Sequence, residues 1–140
     1  MEKERQEFKI GGFGIILDEQ KRVLLCHRTD KDLWNLPGGG LESNESPWDG
    51  VKREVREETG LEVDIEKLLG IYSKPQKNEI VFLFLCEVTG GEITLNSEAT
   101  DIQYFDEESI PSNIPEKHIE RIHDALKESS EIVLKIQKDK

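Results

Sequence analysis

The stretch that most constrains this chain is a helix whose two ends can both be read from the residues. Ser46 is a good N-cap, Pro47 suits the first helical position, and Asp49, three residues after Ser46, approximates a capping box. Gly60 fits the left-handed residue that closes a helix. Between them Trp48, Val51 and Val55 recur at i, i+3 and i+7, a stripe that predicts burial against a core. Glu54 lies one turn from both Glu57 and Glu58, so three carboxylates share the neighbouring face. Such pairs oppose a bare helix by roughly a few tenths of a kcal/mol each. Arg53, four residues before Glu57, offsets part of that, but it is one cation against three anions. A bound divalent cation would correct the deficit, and hard carboxylate oxygens suit Mg²⁺ or Mn²⁺.

From Gly39 to Leu61 the same stretch resembles the Nudix box. Gly39, Glu45, Arg53, Glu54, the apolar Val55, Glu57, Glu58, Gly60 and the apolar Leu61 stand at its positions with none missing. The bland alternative is a solvated acidic helix. At average residue frequencies of about 7% or less, seven fixed positions coincide by chance in far fewer than about one frame in a million. The resemblance implies an α/β/α sandwich with a mixed central sheet, and it extends over nearly the whole chain, although only the box is specific. It also implies a small residue near Gly50, which suggests close packing of the helix against a strand; the glycine costs about 1 kcal/mol against alanine.

The rest of the composition sets bounds. A chain of 140 residues is the size of one domain with a real core, so residues 1–140 are expected to form a single Nudix hydrolase domain. No apolar run approaches the roughly 18–20 residues of a membrane span, and the charged start, MEKERQEFK, does not resemble a secretory signal. The expected location is cytoplasmic. The net charge of −11 argues against general affinity for nucleic acid, though not against a small phosphorylated substrate once divalent ions reverse the local field. Cys26 and Cys86 lie in apolar runs without metal-type spacing and read as buried reduced thiols.

Along the chain, residues 8–17 and Arg22–His27 read as two strands joined by a turn at 18–21, suggesting a hairpin. Trp34 to Pro37 leads into Gly38-Gly39-Gly40, where backbone can approach a ligand closely. Residues 61–71 suggest a short strand at an edge, and Ile80–Val88 a central strand buried on both faces. Residues 89–92 signal a turn, Ile93–Leu95 and Ile102–Phe105 short strands. Ile119, Ile122 and Leu126 predict a helix within residues 115–129 that packs on a sheet. The terminal IVLKIQKDK reads either as an extra strand or as the frayed end of that helix.

The resemblance implies hydrolysis of a nucleoside diphosphate linked to another moiety, by attack of water on phosphorus. It assigns Glu57 and Glu58 as metal ligands, Glu54 as ligand or general base, and the carbonyl of Gly38 as a further ligand. Arg53 would hold the glutamates by ion pairing, oriented by Glu45 just outside the helix. The 97–101 loop often supplies another carboxylate in this family; Glu98 is preferred, Asp101 second. Arg28, at the end of the second strand, together with Gly38 and Gly39, is expected to contact substrate. His27, His118 and His123 read as structural or surface residues, and Trp34 and Trp48 as core or loop anchors. Pro75 lies near where ADP-ribose-cleaving members have a proline, which leans the substrate toward ADP-ribose or a similar nucleotide sugar. A nucleoside-triphosphate pyrophosphatase that removes oxidised nucleotides is the alternative, and a non-catalytic nucleotide-sensing domain the alternative of another class. The resemblance also implies a homodimer, many relatives being dimers, and the apolar IVLKI tail is the surface expected for it.

Overall fold

The computed structural model describes residues 6–127 and 129–138. Among these residues eight strands and two α-helices follow one another as β1 (Lys9–Ile16), β2 (Val23–Arg28), β3 (Leu33–Asn35), β4 (Gly38–Gly40), α1 (Pro47–Thr59), β5 (Leu61–Lys74), β6 (Glu79–Gly91), β7 (Asp101–Phe105), α2 (Glu116–Leu126) and β8 (Val133–Ile136). Five strands make a mixed sheet in the order β4-β1-β6-β5-β8, with β1 parallel to β6 and β8 parallel to β5. Three more make an antiparallel sheet in the order β3-β2-β7.

Side-chain alternation along the strands builds two cores. Ile16, Leu24 and Cys26 face Val51 and Val55 of α1, whereas Ile15, Val23 and Leu25 join Tyr72, Leu83 and Ile122 of α2 on the other side. One helix therefore covers each face, which is the expected α/β/α sandwich. Both cysteines are free and buried, and burial pushes the thiol of Cys86 up to about 12.

The helix ends form as their residues dictate. Ser46 accepts a hydrogen bond from the Asp49 amide at 3.1 Å, and Gly60 sits at φ 82° with its amide donating to the Arg56 carbonyl. Val51 and Val55 are fully buried, but Trp48 is 54% exposed, so the apolar stripe narrows at the first turn. Gly12 and Gly14 of β1 explain how closely α1 approaches: a Cβ on Gly12 would stand 2.5 Å from the Val51 side chain. Gly50, by contrast, faces the 41–45 loop and no strand, because its Cβ would meet Leu41 at 2.3 Å and Glu45 at 2.9 Å.

Four expectations change. β1 and β2 are joined by the turn at residues 18–21, yet they share only the bridge Leu17–Val23 and then part into different sheets, so they do not form a hairpin. The strand after α1 runs fourteen residues, Leu61–Lys74, and is interior, flanked by β6 and β8. Its pairing with β6 carries register shifts at Glu62/Val63, Ile65/Lys67 and Leu68/Gly70, which break the two-residue alternation a sequence reading depends on. Thr89, Gly90 and Gly91 continue β6 instead of turning, and Ile93–Leu95 is not a strand; the Thr94 amide is bonded to the Thr59 carbonyl, so this segment runs beside the end of α1. The terminal run resolves as strand β8.

Candidate active site

Helix α1, strand β4 and the loop before β7 meet over Glu58. Arg53 organises the outer side of this junction. Its Nε donates to Glu45 at 2.6 Å and its Nη2 to the same carboxylate at 3.0 Å, while Nη1 donates to Glu54 at 3.1 Å and Glu57 at 3.0 Å. Nη2 also reaches the Gly40 carbonyl at 3.4 Å. The guanidinium holds the Glu45 carboxyl down to about 2, assisted by the Glu42 amide, and the acids in turn raise the pKa of Arg53.

Glu58 points the other way. It is half-buried, accepts the Gly38 amide at 3.1 Å, and lies within hydrogen-bonding reach of the Glu54 carboxyl. Burial pushes its carboxyl well above the ordinary range, and the nearby charges of Glu54 and Glu98 push in the same direction. An ionised Glu58 would stand against the negative charges of Glu54 and Glu98, a repulsion that a bound cation relieves. The backbone is shaped to the same acids, since a Cβ on Gly39 would stand 3.1 Å from the Glu54 carboxyl. The donor set of Glu54, Glu58 and adjacent glycine backbone suits a hard divalent ion. Glu57 is drawn away to Arg53 and is exposed, and among the described residues no three acidic, histidine or cysteine side chains stand together as a ready chelate.

The junction opens into a cleft of about 810 Å³. Arg28, Gly38, Gly39, Glu58 and Glu98 all line it, so most of the sequence-derived candidates share one space. Arg28 is at the rim, bound through two nitrogens to Asp30 at 3.2 and 2.9 Å. Glu98 faces Glu58, whereas Asp101 opens β7 and accepts from Gln103 at 2.8 Å. His118 accepts the buried Leu36 amide at 3.1 Å and packs edge-on against Phe13; His27 and His123 pair with Asp32 and Glu107.

Two asparagines escaped the sequence reading. Asn96 donates to the carbonyls of Glu58 at 2.9 Å and Glu57 at 3.3 Å, and its Oδ1 accepts the amides of Glu98 and Ala99, each at 2.8 Å. It thereby fastens the loop carrying Glu98 to the end of α1. Asn35 lines the cleft, and its buried Nδ2 has no partner among the described residues. The only sequence signal for either was a loop-favouring residue type.

Residues 9–125 match the NUDIX domain family. The chain belongs to the Nudix family. It is 35% identical over 81% of its length to a MutT-like protein of Streptomyces ambofaciens, covering 73% of that protein. It is 36% identical over 64% of its length to a putative 8-oxo-dGTP diphosphatase of Bacillus subtilis, of which it spans 60%. Among solved structures, an ADP-ribose pyrophosphatase of Streptococcus suis superposes with a TM-score of 0.74 at 26% identity, covering 92% of this chain and 98% of that one. By family the chain is a Nudix pyrophosphohydrolase, and no helix among its described residues is long and apolar enough to cross a membrane.

Proposed function

We propose that this Nudix enzyme hydrolyses the pyrophosphate bond of a nucleoside diphosphate linked to another moiety, ADP-ribose or a similar nucleotide sugar being the substrate class it suits best. The observation that carries the reading is the pairing of Glu58 with Glu54 at the mouth of an 810 Å³ cleft. An acidic pair of this kind, beside room for a nucleoside and a second group, fits a polyanionic ligand accompanied by divalent cations.

Glu54, Glu58 and the Gly38 carbonyl would hold Mg²⁺ or Mn²⁺, with Glu57 joining once it leaves Arg53. When bound, the ion neutralises phosphate charge and acidifies water. Glu54 or Glu98 takes the proton from the attacking water as its oxygen bonds to phosphorus. The bond from phosphorus to the bridging oxygen breaks, and two phosphate monoesters leave. Arg53 keeps Glu54 in position and holds Glu57 until an ion takes it, and Arg28 meets substrate phosphate at the rim. Asn35 offers an unused donor to the ligand, and the fold similarity to an ADP-ribose pyrophosphatase supports the lean. The MutT-like and 8-oxo-dGTP diphosphatase relatives support a nucleoside-triphosphate pyrophosphatase as the second reading.

The test is a hydrolysis panel with Mg²⁺ covering ADP-ribose, nucleotide sugars, dinucleoside polyphosphates and nucleoside triphosphates, oxidised ones included, with Glu57→Gln as control. Strong Glu57-dependent release of AMP from ADP-ribose supports the reading. Preference for an oxidised triphosphate moves it to the second. Tight binding of one compound with turnover of none identifies a sensing domain instead.

A further inference from the structure

The cleft is lined by charges of both signs, and they come from different elements. α1 and the loop before β7 bring acids, Glu58 and Glu98. The end of β2, the loop after it and the first turn of α2 bring cations, Arg28, Lys31 and Lys117, in a chain of net charge −11. Beyond burial, the charges acting on Glu58 are the negative Glu54 and Glu98, and those acting on His118 are the positive Arg121, Lys117 and Lys74. Each neighbourhood therefore senses its own sign. Asp30 is the acid that lines the cleft among the cations, and Arg28 already binds it through two nitrogens.

Helix α2 starts at this cationic wall. Pro115, its N-cap, lines the cleft and supplies no side-chain cap, so the positive end of an eleven-residue helix faces the same space. His118, in the first turn, also lines the cleft and is 4% exposed. Its Nδ1 accepts the Leu36 amide at 3.1 Å, so the neutral ring carries its proton on Nε2. No described residue takes a hydrogen bond from that nitrogen. Buried donors are nearly always paired, and a ligand in the cleft is the partner within reach.

We propose that this wall, with Lys117, Lys31 and the Nε2 of His118 at the start of α2, holds a second anionic group of the substrate, a phosphate or carboxylate carried away from the diphosphate that is cleaved. The inference rests on the hydrolase reading above and narrows it to nucleoside diphosphate derivatives that bear an extra acid. The diphosphate, with its cations, belongs to Glu54 and Glu58. A second anion placed there would meet repulsion, whereas beside α2 it meets donors and positive charge. A cleft of about 810 Å³ has room for both ends of such a molecule. Hydrogen bonds to a charged group are the stronger kind, and each changes affinity by about tenfold or more.

Two matched pairs of compounds test this. UDP-glucuronate against UDP-glucose places the acid as a carboxylate on the sugar, and ADP-ribose 2′-phosphate against ADP-ribose places it as a phosphate on the nucleoside. With Mg²⁺ present, kcat/KM is read for wild type, Lys117→Gln and Lys31→Gln. Dissociation constants are read by calorimetry on Glu57→Gln, alone and combined with each lysine change, and circular dichroism shows that every variant is folded. The expected result is that wild type favours the acidic member of one pair by about tenfold or more, which identifies the source of the anion. Lys117→Gln should reduce that preference to about threefold or less, and rising salt should erode it as well. Equal use of both members of both pairs overturns the proposal, as does a preference that both lysine variants retain. If none of the four is hydrolysed, the hydrolase reading fails for them and the dissociation constants decide this one. Tighter, Lys117-dependent binding of an acidic member then upholds it, and equal or absent binding overturns it.

Discussion

Arg53 has no donor left to offer a substrate. Every nitrogen of its guanidinium already faces Glu45, Glu54, Glu57 or the Gly40 carbonyl. A lysine retains the charge but cannot reproduce that fork. Arg53→Lys is therefore expected to lower kcat by about tenfold or more while leaving KM within about twofold, the split expected when acids are misplaced but ground-state binding survives. Steady-state kinetics on the best substrate of the hydrolysis panel decides this, and a purely raised KM would assign Arg53 to phosphate binding instead. Asn96 works by the same logic one step further out. Asn96→Ala should cost about 1 kcal/mol of stability through its lost hydrogen bonds. It should also reduce kcat by several-fold, because the Glu98 loop loses its tether to α1. Urea unfolding and kinetics on one preparation separate the two effects, and unchanged kcat would remove Glu98 from the catalytic set.

Each element was as legible as its signals were local. Helix α1 could be read because Ser46, Pro47 and Gly60 mark its ends within the sequence and Val51 and Val55 mark its buried side. β5 was undersized because Glu66 and Leu69 interrupt its alternation, and a strand with bulges does not look like one strand. The supposed hairpin failed for another reason: whether β2 stays with β1 or joins β7 depends on pairings with residues 101–105, far along the chain. Within the site, the spacing of the glutamates revealed Glu54 and Glu58, but not the rotation of Glu57 toward Arg53. The seating of α1 on β1 yields its own expectation. Gly12→Ala places a methyl against the buried Val51 and should destabilise by about 1–3 kcal/mol. Gly40→Ala meets nothing within 4 Å and should stay within about 0.5 kcal/mol of wild type. Equal losses for the pair, measured by urea unfolding, would show that the glycines matter for backbone freedom instead of helix approach.

For the molecule as a whole, pH acts through His118. Burial pushes its pKa well below the ordinary value, and Arg121, Lys117 and Lys74 push it the same way, so it stays neutral and accepts the Leu36 amide. As pH falls below about 6.5 the unfolded chain takes up a proton that the folded chain refuses. The contribution is whole above that pH and is lost toward the depressed folded pKa, at up to about 1.4 kcal/mol per pH unit. His118→Gln should be less stable than wild type at pH 8, with the gap closing by pH 5 in urea titrations. A gap constant across that range would mean that His118 takes up a proton as readily in the folded chain as in the unfolded one.

The bulges in β5 have a further consequence for how relatives of this chain can change length. Where Ile65 and Lys67 face Cys86 and Leu85, Glu66 is the residue without a counterpart, and Leu69 is its equivalent between Leu68 and Gly70. Deleting Glu66 restores plain pairing and leaves every flanking side chain on its own face. Deleting Phe84 from β6 turns all that follows inside out. The β5 ribbon is thus a place where a codon can be gained or lost without rewriting the core, and a single-residue deletion scan should show its most tolerant interior position at the exposed Glu66, ahead of Leu69, which packs against the core.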